Sequence, residues 1–216
     1  MRSFLRRLFG FLFRCLARLE VSGLENVPMR GACLLTLNHL SVLDAPLIFH
    51  LVDRPDISAI VARKHQRNVL FRWVVNQAEG IWLDRENLDV DALRAARNLL
   101  RNGWMLGIAP EGTRSRSAAL QPARAGVAFL AAQADAPVLP VGIWGTERAV
   151  ASLLRLQRPV IHVRFGKVVT LPPLERRQRD QALKRNTEII MQHIAALLPP
   201  AYRGVYRAAV PAEGEA

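Results

Sequence analysis

Short aliphatic runs alternate with helical patterns along most of this chain, and the alternation restricts its fold more than any other feature of the sequence. Runs in which nearly every residue is apolar are typical of strands buried on both faces. They span 33–37, 57–62, 80–83, 105–109, 137–143 and 160–165. Helical patterns occur at 45–52, 68–77, 90–101, 124–134 and 175–198. Strand and helix in alternation predict an α/β domain with a mainly parallel mixed sheet flanked by helices.

The net charge of the chain indicates which kinds of molecule it can bind. The 216 residues include 30 Lys and Arg against 18 Asp and Glu, a formal net charge of +12. This excess implies a polyanionic partner, whether nucleic acid, anionic lipid headgroups or phosphate-bearing small molecules, and composition alone does not choose among them. The two cysteines, Cys15 and Cys33, show neither metal-binding nor redox spacing and fit a reducing compartment.

Residues 1–19 predict an amphipathic helix with phenylalanine and leucine on one face and arginine on the other. The apolar face consists of Phe4, Leu5, Leu8, Phe9, Phe11, Leu12, Cys15, Leu16 and Leu19, and the basic face of Arg2, Arg6, Arg7, Arg14 and Arg18. Each arginine would cost roughly 2.5–3.5 kcal/mol at a bilayer centre, and their recurrence is unlike a signal peptide. We therefore expect an in-plane anchor on an anionic membrane surface, with a soluble helix packed on the core as the alternative.

His39 and Asp44 are a candidate catalytic pair. His39 follows a predicted strand, and Asp44 precedes a predicted helix. Residues five apart on one continuous helix would not face each other, so the pair requires the turn that a strand–loop–helix segment provides. In that geometry the carboxylate holds the imidazole tautomer and stabilises the imidazolium of a general base. The alternatives are a helix N-cap for Asp44 and a polar strand end for His39.

A glycine turn with a cation follows another predicted strand. Gly112 permits close backbone approach, and Arg114 can hold a phosphate group through two hydrogen bonds. Arg85 follows the end of a third predicted strand. Ligands collect at the carboxyl ends of strands in open α/β sheets, so these groups and His39 can converge on one crevice. An ordinary polar loop around Gly112 and a surface ion pair at Arg85 are the alternatives.

Taken together, these segments resemble four sequence blocks of the glycerophospholipid acyltransferases, the family typified by bacterial 1-acylglycerol-3-phosphate acyltransferase. The matching residues are Asn38-His39 with Asp44, then 80–85 (GIWLDR), 110–115 (PEGTRS) and 138–141 (VLPV). The blocks occur in the order and at the spacing of the family, which makes the joint match specific where each block alone is not.

The resemblance implies a fold of the glycerol-3-phosphate (1)-acyltransferase type and an acyl transfer without a covalent acyl-enzyme. His39, oriented by Asp44, would take the proton from a lysophospholipid hydroxyl, which would attack the thioester of acyl-CoA or acyl-carrier protein. That thioester is a substrate, and the resemblance implies neither a cofactor nor a metal. The residues implied to bind the phosphate of the acceptor are Arg85, Glu111, Gly112, Thr113 and Arg114. Arg63 and Lys64 would add to this positive field, or form a plain basic loop.

The acceptor implied by the resemblance is 1-acyl-glycerol-3-phosphate (lysophosphatidic acid), which gives phosphatidic acid in phospholipid biosynthesis. Another lysolipid or an acyl-amino-acid lipid is the alternative. A different class is a non-enzymatic basic protein that binds membranes or nucleic acid through charge. Aromatic residues make up only 6% of the chain, which disfavours nucleic acid. The expected partners are the two substrates, an anionic membrane surface and acyl-carrier protein as a donor.

We expect the chain to comprise three segments. Residues 1–20 form the membrane-anchoring helix, 21–200 the acyltransferase domain, and 201–216 a C-terminal tail that is frayed over 210–216. The anchor predicts a peripheral or monotopic protein on the cytoplasmic face of the cell membrane.

Overall fold

The computed structural model of the protein describes residues 1–85, 87 and 89–209. Strands and helices alternate over this part of the chain, as the sequence predicts. The strands are β1 (Arg18–Ser22), β2 (Cys33–Leu37), β3 (Ile57–Ala62), β4 (Ile81–Leu83), β5 (Met105–Ile108), β6 (Val138–Trp144) and β7 (Val160–Phe165). The helices are α1 (Arg2–Leu16), α2 (Asp44–Leu51), α3 (Val69–Gln77), α4 (Val90–Arg101), α5 (Gly126–Ala134), α6 (Thr146–Leu154) and α7 (Arg179–Leu197).

The described strands form one sheet in the order β1-β7-β6-β2-β5-β3-β4. From β6 to β4 every neighbouring pair is parallel. β7 runs antiparallel to β6 and pairs in parallel with β1, so the direction reverses at one edge of the sheet. The predicted fold class, a mainly parallel but mixed sheet, is confirmed.

Helices cover both faces of this sheet. The connections through α2 and α3 advance toward the β4 edge, whereas those through α4 and α5 return toward the β1 edge. Because such crossovers are right-handed, α2 and α3 lie on one face and α4 and α5 on the other. α1 and α6 share a buried core with α2, and α7 shares one with α4 and α5. We call α1, α2, α3 and α6 the α1 layer, and α4, α5 and α7 the α4 layer.

Two elements are missing from the sequence prediction. β1 is an edge strand whose residues alternate between exposed and half-buried, so it lacks the aliphatic run of a central strand. The predicted helix over 1–19 is wrong at its end, because α1 stops at Leu16 and Ala17 is already extended. α6 is the second missing element; it begins directly after β6 and buries only Thr146 and Ala149.

α1 packs on the core through Leu5, Phe9 and Phe13, which recur every four residues and form one stripe. Arg2 and Arg6 also point toward the protein, and their guanidinium groups donate to backbone carbonyls of neighbouring segments. These two members of the predicted basic face are therefore bound to the protein itself. Carbonyls at the ends of helices lack partners within the helix, and the two arginines supply donors to them.

The remaining apolar side chains of α1 stay exposed to solvent. They are Phe4, Leu8, Phe11, Leu12 and Leu16. The alternative of a helix packed on the core thus applies to one stripe of α1, and an uncovered apolar face remains beside it. Among the described helices, none combines the length and the apolarity that crossing a membrane requires.

The predicted C-terminal tail is structured over its described part. Residues Gly204–Ala209 form a 3₁₀ turn. Tyr206 is buried in the core of the α4 layer, and its hydroxyl accepts the backbone N–H of Ala123 at 3.2 Å. Arg203 is also buried and donates from Nε to the carbonyl of Leu198 at 2.9 Å. The predicted fraying over 210–216 lies outside the described residues.

Arg54 is a fully buried cation that braces the loops where β2, β3 and β5 begin. Its guanidinium forms two hydrogen bonds with the carboxylate of Asp56, at 3.0 and 2.6 Å. It also donates to the backbone carbonyls of Pro28, Gly31 and Gly103. Buried charges are stable only when they are paired and hydrogen-bonded, and this one is held by a carboxylate and three carbonyls.

Candidate active site

His39 and Asp44 meet across a tight turn between β2 and α2. His39 Nδ1 lies 2.8 Å from Asp44 Oδ2. The same oxygen accepts the backbone N–H groups of Leu40 and Ser41, each at 2.8 Å. This is the strand–loop–helix geometry that the pair requires. Three donors around one carboxylate oxygen hold Asp44 in place, and Asp44 in turn orients the imidazole.

The two side chains differ in their access to solvent. Asp44 is fully buried, whereas the side chain of His39 is 23% exposed. Among the described residues, no protein group forms a hydrogen bond with His39 Nε2. A neutral imidazole that donates its Nδ1–H to a carboxylate has an unshared electron pair on Nε2. Nε2 is therefore the atom that can accept a proton from a substrate.

Thr146 completes the environment of Asp44, and the sequence analysis does not identify it. Its buried hydroxyl donates to Asp44 Oδ1 at 2.6 Å, on the oxygen that His39 does not contact. Thr146 begins α6 after the turn at Gly145, whose φ of 92° favours glycine. A polar residue after a predicted strand is the only sequence signal for this role.

Asn38 fixes the end of β2 against β6. Its side-chain amide donates to the carbonyl of Ile143 at 2.7 Å and accepts the N–H of the same residue at 2.8 Å. Asn38 is buried, so both polar groups of its amide need these partners. The pairing sets the positions of His39, which follows Asn38, and of Thr146, which follows β6.

Glu111 connects the loop after β5 to the turn that contains His39. Its Oε1 accepts the backbone N–H of His39 at 3.1 Å, and Oε2 accepts that of Gln121 at 3.0 Å. The N–H of Ser115 donates to the carbonyl of His39 at 2.8 Å. Burial raises the pKa of Glu111, and its two backbone donors oppose that effect. Glu111 is therefore a buried carboxylate that braces the loop through two backbone amides, and the phosphate contact implied for it stays a prediction.

Arg85 and Gly112 are in contact beside this loop. The Arg85 guanidinium donates to the carbonyl of Gly112. Gly112 has a φ of 70°, and a Cβ at this position would lie 3.2 Å from the side chain of Arg124. Burial and then the charge of Arg124 lower the pKa of Arg85. Arg124, which the sequence analysis does not identify, thus adds a second cation next to Arg85, and an anion bound here would relieve their repulsion.

Thr113 and Arg114 of the same loop are exposed. Their side chains are free to meet a ligand that approaches from solvent. Nearby, burial lowers the pKa of His65, and the positive charges of Lys64, Arg114, Arg85 and His39 lower it further. The charges of Arg85, Arg114 and His39 come from three separate loops and all act on the side chain of His65, so these three residues lie on the same side of the molecule as His65.

Arg63 is held differently from Lys64. Its guanidinium forms an ion pair of 2.9 Å with Asp89, which also caps α4 by accepting the N–H of Ala92 at 3.0 Å. Of the two additional basic contacts implied for the site, Lys64 is exposed beside His65, whereas the charge of Arg63 is paired with Asp89.

The arrangement combines a proton acceptor with a group of cations at the carboxyl edge of the sheet. His39 can remove a proton from a hydroxyl, because Asp44 stabilises the imidazolium that forms. Arg85, Arg114 and Lys64 can attract an anionic substrate to the same place. Within the described part of the chain, no group of three or more His, Cys, Asp or Glu side chains is placed to hold a metal ion.

The chain is similar in sequence to proteins that are named as acyltransferases. The chain is 29% identical over 154 residues to a probable 1-acyl-sn-glycerol-3-phosphate acyltransferase of Mycoplasma pneumoniae, covering 68% of this chain and 57% of that protein. It is 28% identical over 131 residues to the chloroplastic 1-acyl-sn-glycerol-3-phosphate acyltransferase BAT2 of Brassica napus, covering 59% and 37%. The chain thus spans about half the length of the curated relatives it matches.

A solved structure and a family model extend the comparison. The crystal structure of the 1-acyl-sn-glycerophosphate (LPA) acyltransferase PlsC from Thermotoga maritima has a TM-score of 0.66, with 24% identity over 88% of this chain and 79% of that one. This likeness shows a shared fold. The family model for Acyltransferase matches residues 18–144, which is more than half of the chain, and the protein therefore belongs to the Acyltransferase family.

Proposed function

We propose that the protein transfers a fatty acyl group from acyl-CoA or acyl-carrier protein to the free hydroxyl of 1-acyl-glycerol-3-phosphate, giving phosphatidic acid. The observation that carries this proposal is the hydrogen-bonded pair of His39 and Asp44, with cations gathered beside it. The relatives described above are named as acyltransferases for the same acceptor, which supports this assignment.

The reaction needs one base and no covalent intermediate. His39 Nε2 takes the proton of the acceptor hydroxyl while the oxygen attacks the thioester carbonyl. The tetrahedral intermediate collapses with loss of the thiolate, and the imidazolium returns the proton to the leaving sulfur. Asp44 stabilises the imidazolium throughout, held by Thr146 and two backbone N–H groups. General-base catalysis of this kind contributes about 10²–10⁴-fold in rate.

The cations provide the acceptor site in this proposal. Arg114 is exposed and can bind the phosphate group bidentately, while Arg85 and Lys64 add positive charge around it. Glu111 supports the site indirectly by tying the loop of Arg114 to the backbone of His39. A phosphate bound here lies close to the base, which places the acceptor for proton abstraction.

The place of action in this proposal is an anionic membrane surface on its cytoplasmic side. The uncovered Phe and Leu side chains of α1 support peripheral binding, because this face lies beside the stripe that packs on the core and stays exposed to solvent. An embedded lysolipid and a soluble acyl thioester would then meet at the protein–membrane boundary.

Purified protein offered a panel of lysolipids, each with acyl-CoA and with acyl-carrier protein, tests the proposal, with products identified by mass. We expect phosphatidic acid to form from lysophosphatidic acid in preference to products from other lysolipids. The His39→Ala variant is the control and should leave the thioester intact. Preferred acylation of another lysolipid would assign that acceptor instead. Membrane binding by a folded protein that consumes no thioester would favour the non-enzymatic class.

A further inference from the structure

Exposed apolar side chains are distributed unequally between the two helix layers. On the described α-helices, every exposed large apolar residue except Val90 belongs to the α1 layer. Besides the five on α1, this layer exposes Val69, Leu70, Trp73, Val150 and Leu154. Helices of the α4 layer bury their apolar side chains against the sheet and present polar residues to solvent. Uncovered apolar residues that cluster on one face of a protein mark a binding surface.

α3 carries one of these clusters next to the candidate active site. Val69 and Leu70, in its first turn, are 69% and 71% exposed, and Trp73 lies one turn later. The 3₁₀ turn just before α3 contains His65, whose ring packs edge-on against that of Phe71 in α3 with 5.6 Å between the ring centroids. The charges of Arg114, Arg85 and His39 act on the pKa of the same imidazole. The exposed end of α3 therefore borders the entrance to the site.

α6 carries another cluster on the same side of the sheet. Val150 and Leu154 are four residues apart and lie together on the solvent side of the helix, with Leu154 81% exposed. The opposite side of α6 packs into the core through Ala149. The helix begins at Thr146, so it too is joined directly to the catalytic pair.

α1 connects these clusters, because polar contacts hold both of its ends. At its beginning, Arg2 donates to the carbonyl of Ala78, the residue that ends α3, at 2.9 Å. At its end, Arg158 from the loop after α6 donates to the carbonyls of Arg14 and Ala17 at 2.7 and 3.0 Å. α1 thus reaches from α3 to the loop after α6, the two helices that carry the clusters.

The charges of this layer are complementary to an anionic surface. α1 and α3 contain no acidic residue, and α6 contains only Glu147, which is largely buried. Exposed arginines occur beside each apolar cluster: Arg7 and Arg14 on α1, Arg72 on α3 and Arg148 on α6. The α4 layer exposes charges of both signs: the acidic residues are Asp91, Asp180 and Glu188, and the basic residues are Arg94, Arg101, Arg179, Lys184 and Arg185.

We propose that the α1 layer as a whole binds an anionic lipid bilayer, with the α3 and α6 clusters as contact sites beside the α1 anchor. Arginine beside exposed Leu, Val and Trp is the composition that a membrane–water interface favours. Contacts on both sides of α1 would fix the tilt of the protein and hold the entrance to the active site at the headgroups. The inference deepens the proposed use of a membrane-embedded acceptor and rests on it.

Vesicle flotation tests this surface with paired substitutions in the full chain. The α3 pair is Val69→Ser with Leu70→Ser, and the α6 pair is Val150→Ser with Leu154→Ser. The matched control is Val90→Ser with Val205→Ser, on residues that are 51% and 65% exposed away from the α1 layer. Vesicles are made of phosphatidylcholine with an equal share of phosphatidylglycerol, and of phosphatidylcholine alone. Thermal melting verifies that every variant is folded.

We expect each test pair to lower the partition coefficient on anionic vesicles about tenfold, which corresponds to about 1.4 kcal/mol. The control pair should bind like the unchanged protein. If both test pairs bind as tightly as the control, the lipid contacts at α3 and α6 do not exist. Self-association through these residues, seen as a concentration-dependent dimer without a change in vesicle binding, would assign the surface to a second copy of the chain instead.

Trp73 provides a direct readout of contact with lipid. Vesicles whose acyl chains carry bromine quench tryptophan only at short range, so the bound protein should lose fluorescence. Trp73→Phe should remove most of this quenching, and an undiminished loss in that variant would contradict insertion of α3. Acyl transfer to a short-chain soluble acceptor is measured in parallel. An inactive protein that still binds through all three helices would overturn the proposed function and leave the membrane face in place.

Discussion

The hydroxyl of Thr146 donates a hydrogen bond of 2.6 Å to Asp44 Oδ1, while His39 occupies the other oxygen of the same carboxylate. Thr146 thus holds a buried carboxylate that is 102 positions away in the chain. The bond joins the beginning of α6 to the beginning of α2. It restricts rotation of the carboxylate, and a fixed carboxylate fixes the imidazole.

Replacing Thr146 by Val should weaken catalysis with little effect on binding. A buried acceptor that loses its partner costs about 1–3 kcal/mol, so we expect kcat to fall about 5- to 150-fold while KM for both substrates changes little. Thr146→Ser keeps the hydroxyl and should restore most of the activity. When Thr146→Val is added to His39→Ala, kcat should fall little further, since Thr146 acts on catalysis only by positioning Asp44 and His39. Steady-state kinetics of the single and double variants measure this, and additive losses would contradict the role.

Removing the base itself should have a larger effect. We expect His39→Ala and Asp44→Ala each to lower kcat by about 10²–10⁴-fold, and the double variant to be little worse. Asp44→Ala also leaves the N–H groups of Leu40 and Ser41 without an acceptor, so its melting temperature is measured with its rate. Near-normal turnover by either variant while folded would exclude the mechanism.

Arg85 and Arg114 should contribute to catalysis mainly by binding the phosphate group of the acceptor. Losing a charge-assisted contact is worth about 1.5–3 kcal/mol, so Arg85→Ala or Arg114→Ala should reduce kcat/KM for lysophosphatidic acid about 10- to 150-fold. Lysine at either position should restore only part of the lost kcat/KM, since its ammonium group cannot form the two parallel hydrogen bonds of a guanidinium. Arg116→Ala, an exposed cation of the same loop, is the matched control and should be neutral. If both alanine variants keep the kinetic constants of the unchanged protein, the phosphate group does not bind to Arg85 and Arg114.

Local sequence patterns predict the sheet well, because its central strands are buried on both faces and leave unbroken aliphatic runs. β2 illustrates this, since all five of its residues are buried. β1 lies at the edge of the sheet, alternates in exposure and leaves no such run. His39 and Asp44 are recognisable because they are neighbours in the chain and because the blocks around them resemble a family.

The supports of the site are harder to predict because they come from distant parts of the chain. Thr146 and Arg124 reach the site only through the packing of α6 and of the loop before α5. The sequence shows that Glu111 is a polar residue after a strand, but it does not show which two backbone N–H groups the carboxylate accepts. For α1, a helical wheel shows an amphipathic face, whereas which stripe meets the core depends on the surface of α2 and the sheet.

Arg54 should be important for stability rather than for activity. Arg54→Met would leave the carbonyls of Pro28, Gly31 and Gly103 without their donor and Asp56 without its partner. Breaking a buried pair of this kind costs about 3–5 kcal/mol, so we expect a clearly lower midpoint in urea. The urea midpoint of Arg54→Lys should lie between those of Arg54→Met and the unchanged protein, because an ammonium group has fewer hydrogen-bond donors than a guanidinium. Equal midpoints for Arg54→Met and the unchanged protein would contradict this role.

The same pair predicts a dependence of stability on pH. The hydrogen bond from Arg54 lowers the pKa of Asp56 in the folded protein. A carboxyl group with a lowered pKa stabilises the fold above its usual pKa of about 4, and that stabilisation is lost as the pH falls below it. Asp56→Asn should therefore be less stable at neutral pH and lose less stability on acidification. Thermal melting across the acid range measures both slopes, and parallel curves would show that the pair does not contribute.

The apolar face of α1 should govern attachment to membranes. Phe4, Leu8 and Leu12 are exposed on this face, so their replacement by Ser should spare the core and release the protein from anionic vesicles. Arginines near such a surface contribute about 1 kcal/mol each and are screened by salt, whereas the apolar contribution resists salt. Binding that remains in the triple variant should therefore disappear at high salt. Activity on vesicle-embedded lysolipid should fall, while activity on a short-chain soluble acceptor persists. An in-plane anchor would be excluded if the triple variant stayed fully bound at high salt. It would also be excluded if protease cleavage placed the two ends of α1 on opposite sides of the bilayer.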